Sequence, residues 1–147
     1  MGNRNIISTV TPVQIFGEAF VCARVKTIPS GVEAAEDSII LIINTSKIYS
    51  PCASVCSSHR MLIKNLLFIL SEKNIMLNRK IEILSKRTTR EKLMAYLLDE
   101  AAKAGSSEFT IPYNRQQLAD FLSVERSAMS AEISKLRSQG KIEANKS

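Results

Sequence analysis

Residues 113–140 decide the fold and read YNRQQLADFLSVERSAMSAEISKLRSQG. They predict two helices separated by a tight turn. Asn114 and Gln117 have the spacing of a capping box, in which the side chain of each residue bonds the backbone N–H of the other. The first helix would bury a short apolar face made of Leu118, Ala119, Phe121 and Leu122.

Ser123, Val124 and Glu125 interrupt this pattern, and apolar residues then return at helical spacing at Val124, Met129, Ile133 and Leu136. Gly140 follows where a left-handed residue commonly ends a helix. Two short helices about a turn of three or four residues are typical of a helix-turn-helix, although an ordinary helical hairpin would show the same apolar pattern. The remaining positions of the second helix favour a surface that faces a DNA groove, because they are small or basic: Arg126, Ser127, Ser130, Ser134, Lys135 and Arg137.

This stretch resembles the recognition region of the catabolite-activator (Crp/Fnr) family of bacterial transcription regulators. The matching positions are Arg115, Leu118, Ala119, Arg126, Met129, Ser130, Ile133, Leu136 and Gly140. Two positions depart from the family. Ala131 stands where the family usually has a second DNA-contacting arginine, and Ser127 replaces a glutamate that often reads cytosine. The resemblance therefore implies the fold of the family but does not transfer its base-reading code.

Composition and charge fit a DNA-binding protein. The chain has 147 residues, of which 45% are hydrophobic and 23% charged, as in a globular protein. Residues 1–56 carry four basic and four acidic side chains, so the net charge of +6 falls on residues 57–147. This charge suits a polyanion such as DNA, although solvated helix faces would produce the same excess.

The sequence predicts a cytoplasmic protein without a membrane partner. Its longest apolar runs, residues 39–43 and 66–70, are far shorter than the roughly 18 residues that a membrane span needs. No secretion leader opens the chain. Three cysteines are an odd number, and a disulfide framework is not expected.

Residues 1–56 are rich in strand-forming residues, and we predict strands at 5–10, 15–20, 21–28, 32–35 and 38–43. The resemblance implies that they form the second half of a cupin-like β-roll, the effector domain of the family. The predicted fold class is α+β, with a partial β-roll at 1–56, a dimerisation helix at 57–85 and a winged helix-turn-helix domain at 86–147. Residues 109–112 would be a short strand leading into the helix-turn-helix, and residues 141–143 resemble the first strand of a wing. The chain would thus be truncated at both the β-roll and the wing.

Gly17 and Glu18 resemble the Gly-Glu pair with which the cyclic-nucleotide version of the roll binds ribose. That version has an arginine about ten residues later for the phosphate, but here Ile28 and Pro29 occupy those positions. Burying a phosphodiester without a cation is costly. We therefore predict an effector other than a cyclic nucleotide and a structural role for Gly17 and Glu18.

Cys52, Cys56 and His59 would share one face of a helix, and together they could hold zinc, an iron–sulfur centre or haem. A fourth ligand would have to be Cys22, a partner subunit or water. Small cysteines and a single histidine also pack where a helix meets another element. We favour packing and predict no metal and no cofactor. A metal, haem or redox sensor stays open as an alternative function.

Residues 57–84 predict one long helix with two neighbouring apolar rows of seven-residue spacing. One row contains Leu62, Ile69, Met76 and Ile83, and the other contains Ile63, Leu70, Leu77 and Leu84. Lys73 and Lys80 interrupt the seam. The first row would pair with the same helix of a second subunit, as the family resemblance also implies. Burial within one subunit is the alternative.

A further helix would begin at a second capping box, formed by Thr88 and Glu91, and would end at Gly105. No nucleophile elbow, P-loop, dinucleotide fingerprint or HExxH motif is present in the sequence, so we do not expect an enzyme.

The leading hypothesis is a homodimeric, sequence-specific transcription regulator that binds a palindromic double-stranded operator. Arg115 would hold a phosphate and Arg126 would read guanine, while Ser127 and Ser130 would contact bases or phosphates. Lys135 or Arg137 would add attraction to the DNA backbone. RNA polymerase is a further candidate partner. A dimerisation-only protein that pairs with full-length relatives and blocks them is another alternative.

Overall fold

The computed structural model describes residues 5–27, 30–44 and 56–144. Its helices are α1 (Glu18–Cys22), α2 (Ser57–Leu84), α3 (Thr89–Ala104), α4 (Arg115–Leu122) and α5 (Arg126–Ser138). The chain divides into an N-terminal unit, Val10–Met76, and a C-terminal unit made of Met1–Thr9 and Leu77–Ser147. The long helix α2 contributes to both units.

The predicted α+β fold class is wrong, because the described residues contain helices and no strand. Residues 18–22, expected in a strand, form α1 after Gly17, whose φ of 82° is left-handed. Residues 38–43 have no regular structure, and the side chains of residues 39–43 are 59 to 104% exposed. Strand propensity is satisfied only when a neighbouring strand accepts the backbone hydrogen bonds. Without such a neighbour among the described residues, the partial β-roll does not form.

The strands predicted at 109–112 and 141–143 are likewise absent from the described part of the chain. Ile111 and Ile142 are partly buried and pack against the core of the C-terminal unit. Their apolar side chains therefore serve packing rather than a sheet, and the domain as described is a helical helix-turn-helix.

Both predicted capping boxes of the C-terminal unit are confirmed. The Thr88 hydroxyl accepts from the Glu91 N–H at 3.1 Å, and the Glu91 carboxylate accepts from the Thr88 N–H at 3.0 Å. These bonds hold the pKa of Glu91 below its usual value. Asn114 and Gln117 form the equivalent pair at the start of α4, with both bonds at 2.9 Å.

The core of the C-terminal unit is formed where α3, α4 and α5 pack together. Its buried side chains are Ile83, Leu93, Tyr96, Leu118, Ala119, Leu122, Met129, Ile133 and Leu136. Leu122, Met129 and Leu136 are completely buried, and each contributes about 1.5–3 kcal/mol by leaving water. This core fixes α5 against the other two helices.

In the N-terminal unit, Lys73 of α2 pairs with Glu18 at 2.8 Å and also donates to the Ile15 carbonyl oxygen. One of the two lysines that interrupt the apolar rows of α2 is thus used inside this unit. Glu18 thus has Lys73 as an ion-pair partner within this unit.

Candidate nucleic-acid interface

The turn between α4 and α5 is built around Ser123, which has a φ of 51° in the left-handed region. The Ser123 N–H donates to the Asp120 carbonyl oxygen at 3.3 Å, and the Val124 N–H donates to that of Ala119 at 3.0 Å. This pair of bonds is typical of a helix that stops at a left-handed residue. Glu125 is then the N-cap of α5. The turn therefore follows the helix-turn-helix interpretation of the sequence.

The buried face of α5 is formed by Met129, Ile133 and Leu136. Since these residues anchor the helix in the core, the remaining positions are left at the surface. Arg126, Ser127, Ser134, Lys135 and Arg137 are exposed, and Ser130 is half-buried. The structure thus places five of these six small or basic side chains on the outside of one helix.

The serines of α5 differ in whether their hydroxyls bond the helix backbone. Ser134 donates to the Ser130 carbonyl oxygen at 3.0 Å, and Ser138 donates to the Lys135 carbonyl oxygen at 2.9 Å. Their hydroxyl protons are engaged by the helix itself, so these two groups offer acceptor lone pairs to an outside ligand. Ser127 makes no such bond to the helix backbone in the described structure.

The acidic residue of α5, Glu132, is neutralised by neighbouring cations. Its carboxylate lies 2.8 Å from Lys135 Nζ and 3.9 Å from the guanidinium of Arg90, which also donates to Gln139 at 2.6 Å. Arg90 lies in the first turn of α3, so it ties that helix to the middle of α5 and to the residue that caps its C-terminal end. No local sequence pattern predicts this role, because Arg90 and Glu132 are 42 positions apart.

Arg126 and Arg137 form no ion pair among the described residues, whereas Lys135 forms an ion pair with Glu132. Arg115 is half-buried at the first position of α4, directly after the Asn114 cap. The N–H groups at such a helix start attract anions. The predicted DNA-contacting arginines thus lie at the starts of both helices and near the end of α5.

A cluster of three aromatic rings joins α4 to α3 and to Tyr113. Phe121 of α4 stacks on Tyr113 with ring centroids 5.0 Å apart and lies 5.4 Å from the ring of Tyr96 in α3. Lys80, on the last part of α2, lies over the Phe121 ring with Nζ 4.1 Å from the centroid. The sequence marked Lys80 only as an interruption of an apolar row.

The predicted dimerisation residues of α2 differ in exposure. Leu62 and Met76 are 45% and 41% exposed, and Ile69 is half-buried. Ile83 is 6% exposed and belongs to the core of the C-terminal unit. Other apolar side chains of the same helix are also exposed: Met61, Ile63, Leu67, Phe68, Ile75, Leu77 and Ile81.

Two members of the predicted cysteine and histidine cluster come together at the start of α2. The Cys56 sulfur lies 3.6 Å from Nδ1 of His59 and accepts from the His59 backbone N–H at 3.4 Å. Cys52 lies outside the described residues. Among those that are described, no group of three or more histidine, cysteine, aspartate or glutamate side chains could hold a metal ion.

Within the described ranges, no helix is both long enough and apolar enough to cross a membrane.

A family model, the Crp-like helix-turn-helix domain, matches residues 91–147. This range contains most of α3, the whole of α4 and α5, and the turn between the last two. Comparison with curated proteins and with solved structures gave no match. The match is to a DNA-binding domain rather than to an enzyme, and it confirms the resemblance found in the sequence. Residues 91–147 are thus similar to a Crp-like helix-turn-helix domain, and this similarity indicates DNA-binding transcription regulation.

Proposed function

We propose that this protein acts as a homodimer that recognises a palindromic DNA operator through α5. The supporting observation is the match of residues 91–147 to a DNA-binding domain. Within this range, α5 exposes Arg126 and Arg137, which have no ion-pair partner among the described residues, beside small side chains. Small residues allow a helix to approach the base edges of the major groove closely, and arginine is the side chain that most often reads guanine there.

The proposed roles follow from position. Arg126 begins α5, and the first residues of a recognition helix are the ones that reach base edges. Ser127 lies beside it and would contact a base or a phosphate, as would Ser130. Arg115 would hold a phosphate at the start of α4, while Lys135 and Arg137 would add attraction to the DNA backbone.

Dimerisation through α2 would cover the exposed apolar side chains of this helix. The helix exposes apolar side chains along most of its length, and such a surface is unfavourable in water unless a partner covers it. A second copy supplies the same apolar rows. Dimers of helix-turn-helix domains bind half-sites about one helical turn apart, roughly 34 Å, which is the spacing we expect here.

Selection of bound duplexes from a random pool tests this proposal most directly. We expect enrichment of an inverted repeat in which each half-site contains at least one conserved G·C pair, because Arg126 has guanine as its best target. Binding to the selected site should weaken steeply as salt rises.

Two results would contradict the proposal. Enrichment of single half-sites without a repeat would contradict the homodimer. A pool without any enrichment, together with a protein that is dimeric in solution, would instead favour a dimerisation-only protein.

A further inference from the structure

Among the described residues, the charged residue that is buried is Lys80, with 8% of its surface exposed. It occupies the C-terminal part of α2, within the same structural unit as the helix-turn-helix. The residue three positions further along α2, Ile83, belongs to the apolar core. Lysine is almost never fully buried without a charged partner.

The neighbours of Lys80 show how its charge is accommodated. Its ammonium donates to the carbonyl oxygens of Ile6 and of Ile7, the latter at 3.1 Å. The Phe121 ring covers it from a centroid distance of 4.1 Å. No carboxylate pairs with Lys80 in the described residues, and burial lowers its pKa to about 8.

A charge held in this way costs folding free energy, since an aliphatic side chain of similar size would fill the position without losing hydration. The contacts are directional, however. A cation over a ring face is attracted most strongly at the centre of the ring, so Lys80 favours one placement of Phe121, and with it of α4, against the end of α2.

We propose that Lys80 is a positioning residue for DNA binding, which fixes α4 relative to the C-terminal end of α2 through the Phe121 ring and the carbonyl groups of Ile6 and Ile7. This inference rests on the proposed function, because α2 would carry the two-fold axis and α4 would carry the phosphate contact of Arg115. Lys80 thereby sets the separation of the two recognition helices, although it is too deeply buried to touch DNA.

The test compares Lys80→Met, Lys80→Arg and Lys64→Met on the selected operator. Met is an unbranched side chain one atom shorter than Lys and without its charge, whereas Arg keeps the charge and stacks well on an aromatic ring. Lys64 is exposed on the same helix, so Lys64→Met controls for the change in net charge. Each variant is measured on operators whose half-site separation is varied by one base pair in either direction.

We expect Lys80→Met to weaken binding about tenfold, as loss of a desolvated cation–π contact would, and to flatten the preference for one half-site separation. Lys80→Arg and Lys64→Met should stay within about twofold of the wild type. The slope of log Kd against log salt should not change in Lys80→Met, because no phosphate contact is lost.

Comparing the stability of each variant with its DNA binding separates a positioning role of Lys80 from a structural one. Lys80→Met should be at least as stable as the wild type in denaturant unfolding while it binds DNA more weakly. Phe121→Leu, which removes the ring and leaves the lysine, should lose the separation preference in the same way.

Equal weakening in Lys80→Met and Lys64→Met, or an unchanged separation preference in Lys80→Met, would overturn the inference. So would a Lys80→Met protein that does not fold. Failure of the wild type to select any sequence would instead overturn the proposed function, and the role of Lys80 with it.

Discussion

Arg126 stands at the first position of α5, one residue after the Glu125 cap, and its side chain is exposed and forms no ion pair with the described residues. Arg137, near the other end of the same helix, is equally exposed. The two side chains have the same chemistry but different distances from the start of the helix. We therefore expect Arg126, at the start of the helix, to contact a base and Arg137, near its end, to contact the DNA backbone.

Arg126→Ala should lose sequence discrimination, and Arg137→Ala should not. We expect Arg126→Ala to cost about 1–3 kcal/mol on the selected operator and to relax the requirement for one base pair of the half-site. Arg137→Ala should weaken binding to all sequences alike and reduce the salt slope by about one. Competition titrations with operators changed at single positions measure both effects. Unchanged discrimination in Arg126→Ala would contradict the base-reading role.

The buried ammonium of Lys80 predicts a pH dependence of stability. Burial lowers its pKa from 10.5 to about 8 in the folded protein. Between these two values the unfolded chain binds more protons than the folded one, so the free energy of unfolding rises as the pH rises from 8 to 10.5.

The expected gain over this range is on the order of 1–3 kcal/mol relative to Lys80→Met. The comparison with this variant removes the contribution of groups common to both proteins, including Tyr96 and Tyr113 of the neighbouring aromatic cluster and the exposed lysines. Urea unfolding at pH 7.5 to 10.5 measures it. Parallel pH profiles for the two proteins would show that Lys80 keeps its ordinary pKa.

At the scale of the element, the two capping boxes are chemically alike but stand at helices with different proposed roles. Thr88 and Glu91 begin α3, which packs in the core, while Asn114 and Gln117 begin α4, where Arg115 would meet a phosphate. Loss of either cap should have a similar effect on folding and a different effect on DNA binding.

Asn114→Ala and Thr88→Ala should each lower the free energy of unfolding by about 1 kcal/mol, because each removes the acceptor of an exposed helix N–H. Only Asn114→Ala should also weaken operator binding at a temperature where both variants are fully folded. Denaturant titration and a binding isotherm on the same samples measure the two effects. Equal binding losses would indicate that the cap of α4 has no special part in phosphate contact.

At the scale of the whole molecule, α2 is the element that both structural units share. In the N-terminal unit it exposes apolar side chains, and in the C-terminal unit it contributes Ile83 to the core and Lys80 to the aromatic cluster. One helix would thus join the proposed dimer contact to the DNA-binding domain.

Met76→Glu should raise the dimer dissociation constant at least tenfold, because a carboxylate would have to be buried against the apolar side chains of the second copy. Ser71→Glu, an equal change of charge at an exposed polar position on the opposite face of the same helix, is the matched control and should leave association unchanged. Sedimentation equilibrium at micromolar concentration measures both. A Met76→Glu protein that remains as dimeric as the wild type would place the interface elsewhere.

The sequence by itself determined the helices of the DNA-binding domain and their ends. Capping boxes, the break at Ser123 and the apolar spacing of α4 and α5 act within a few residues, so they are readable without the rest of the fold. The same local signals marked Arg126 and Arg137 as surface residues. The family resemblance depended on residues of this same stretch, which explains why it was confirmed.

Only the tertiary structure decided features that depend on distant neighbours. Strand-like composition in the described residues 5–27 and 30–43 did not make a sheet, since a strand needs a partner along its whole edge. Burial of Lys80 under Phe121, the pairing of Arg90 with Glu132 and the use of Ile83 in the core all join residues far apart in sequence. Heptad spacing placed Lys80 and Ile83 on α2 but could not say which neighbours would cover them, because those neighbours come from other elements.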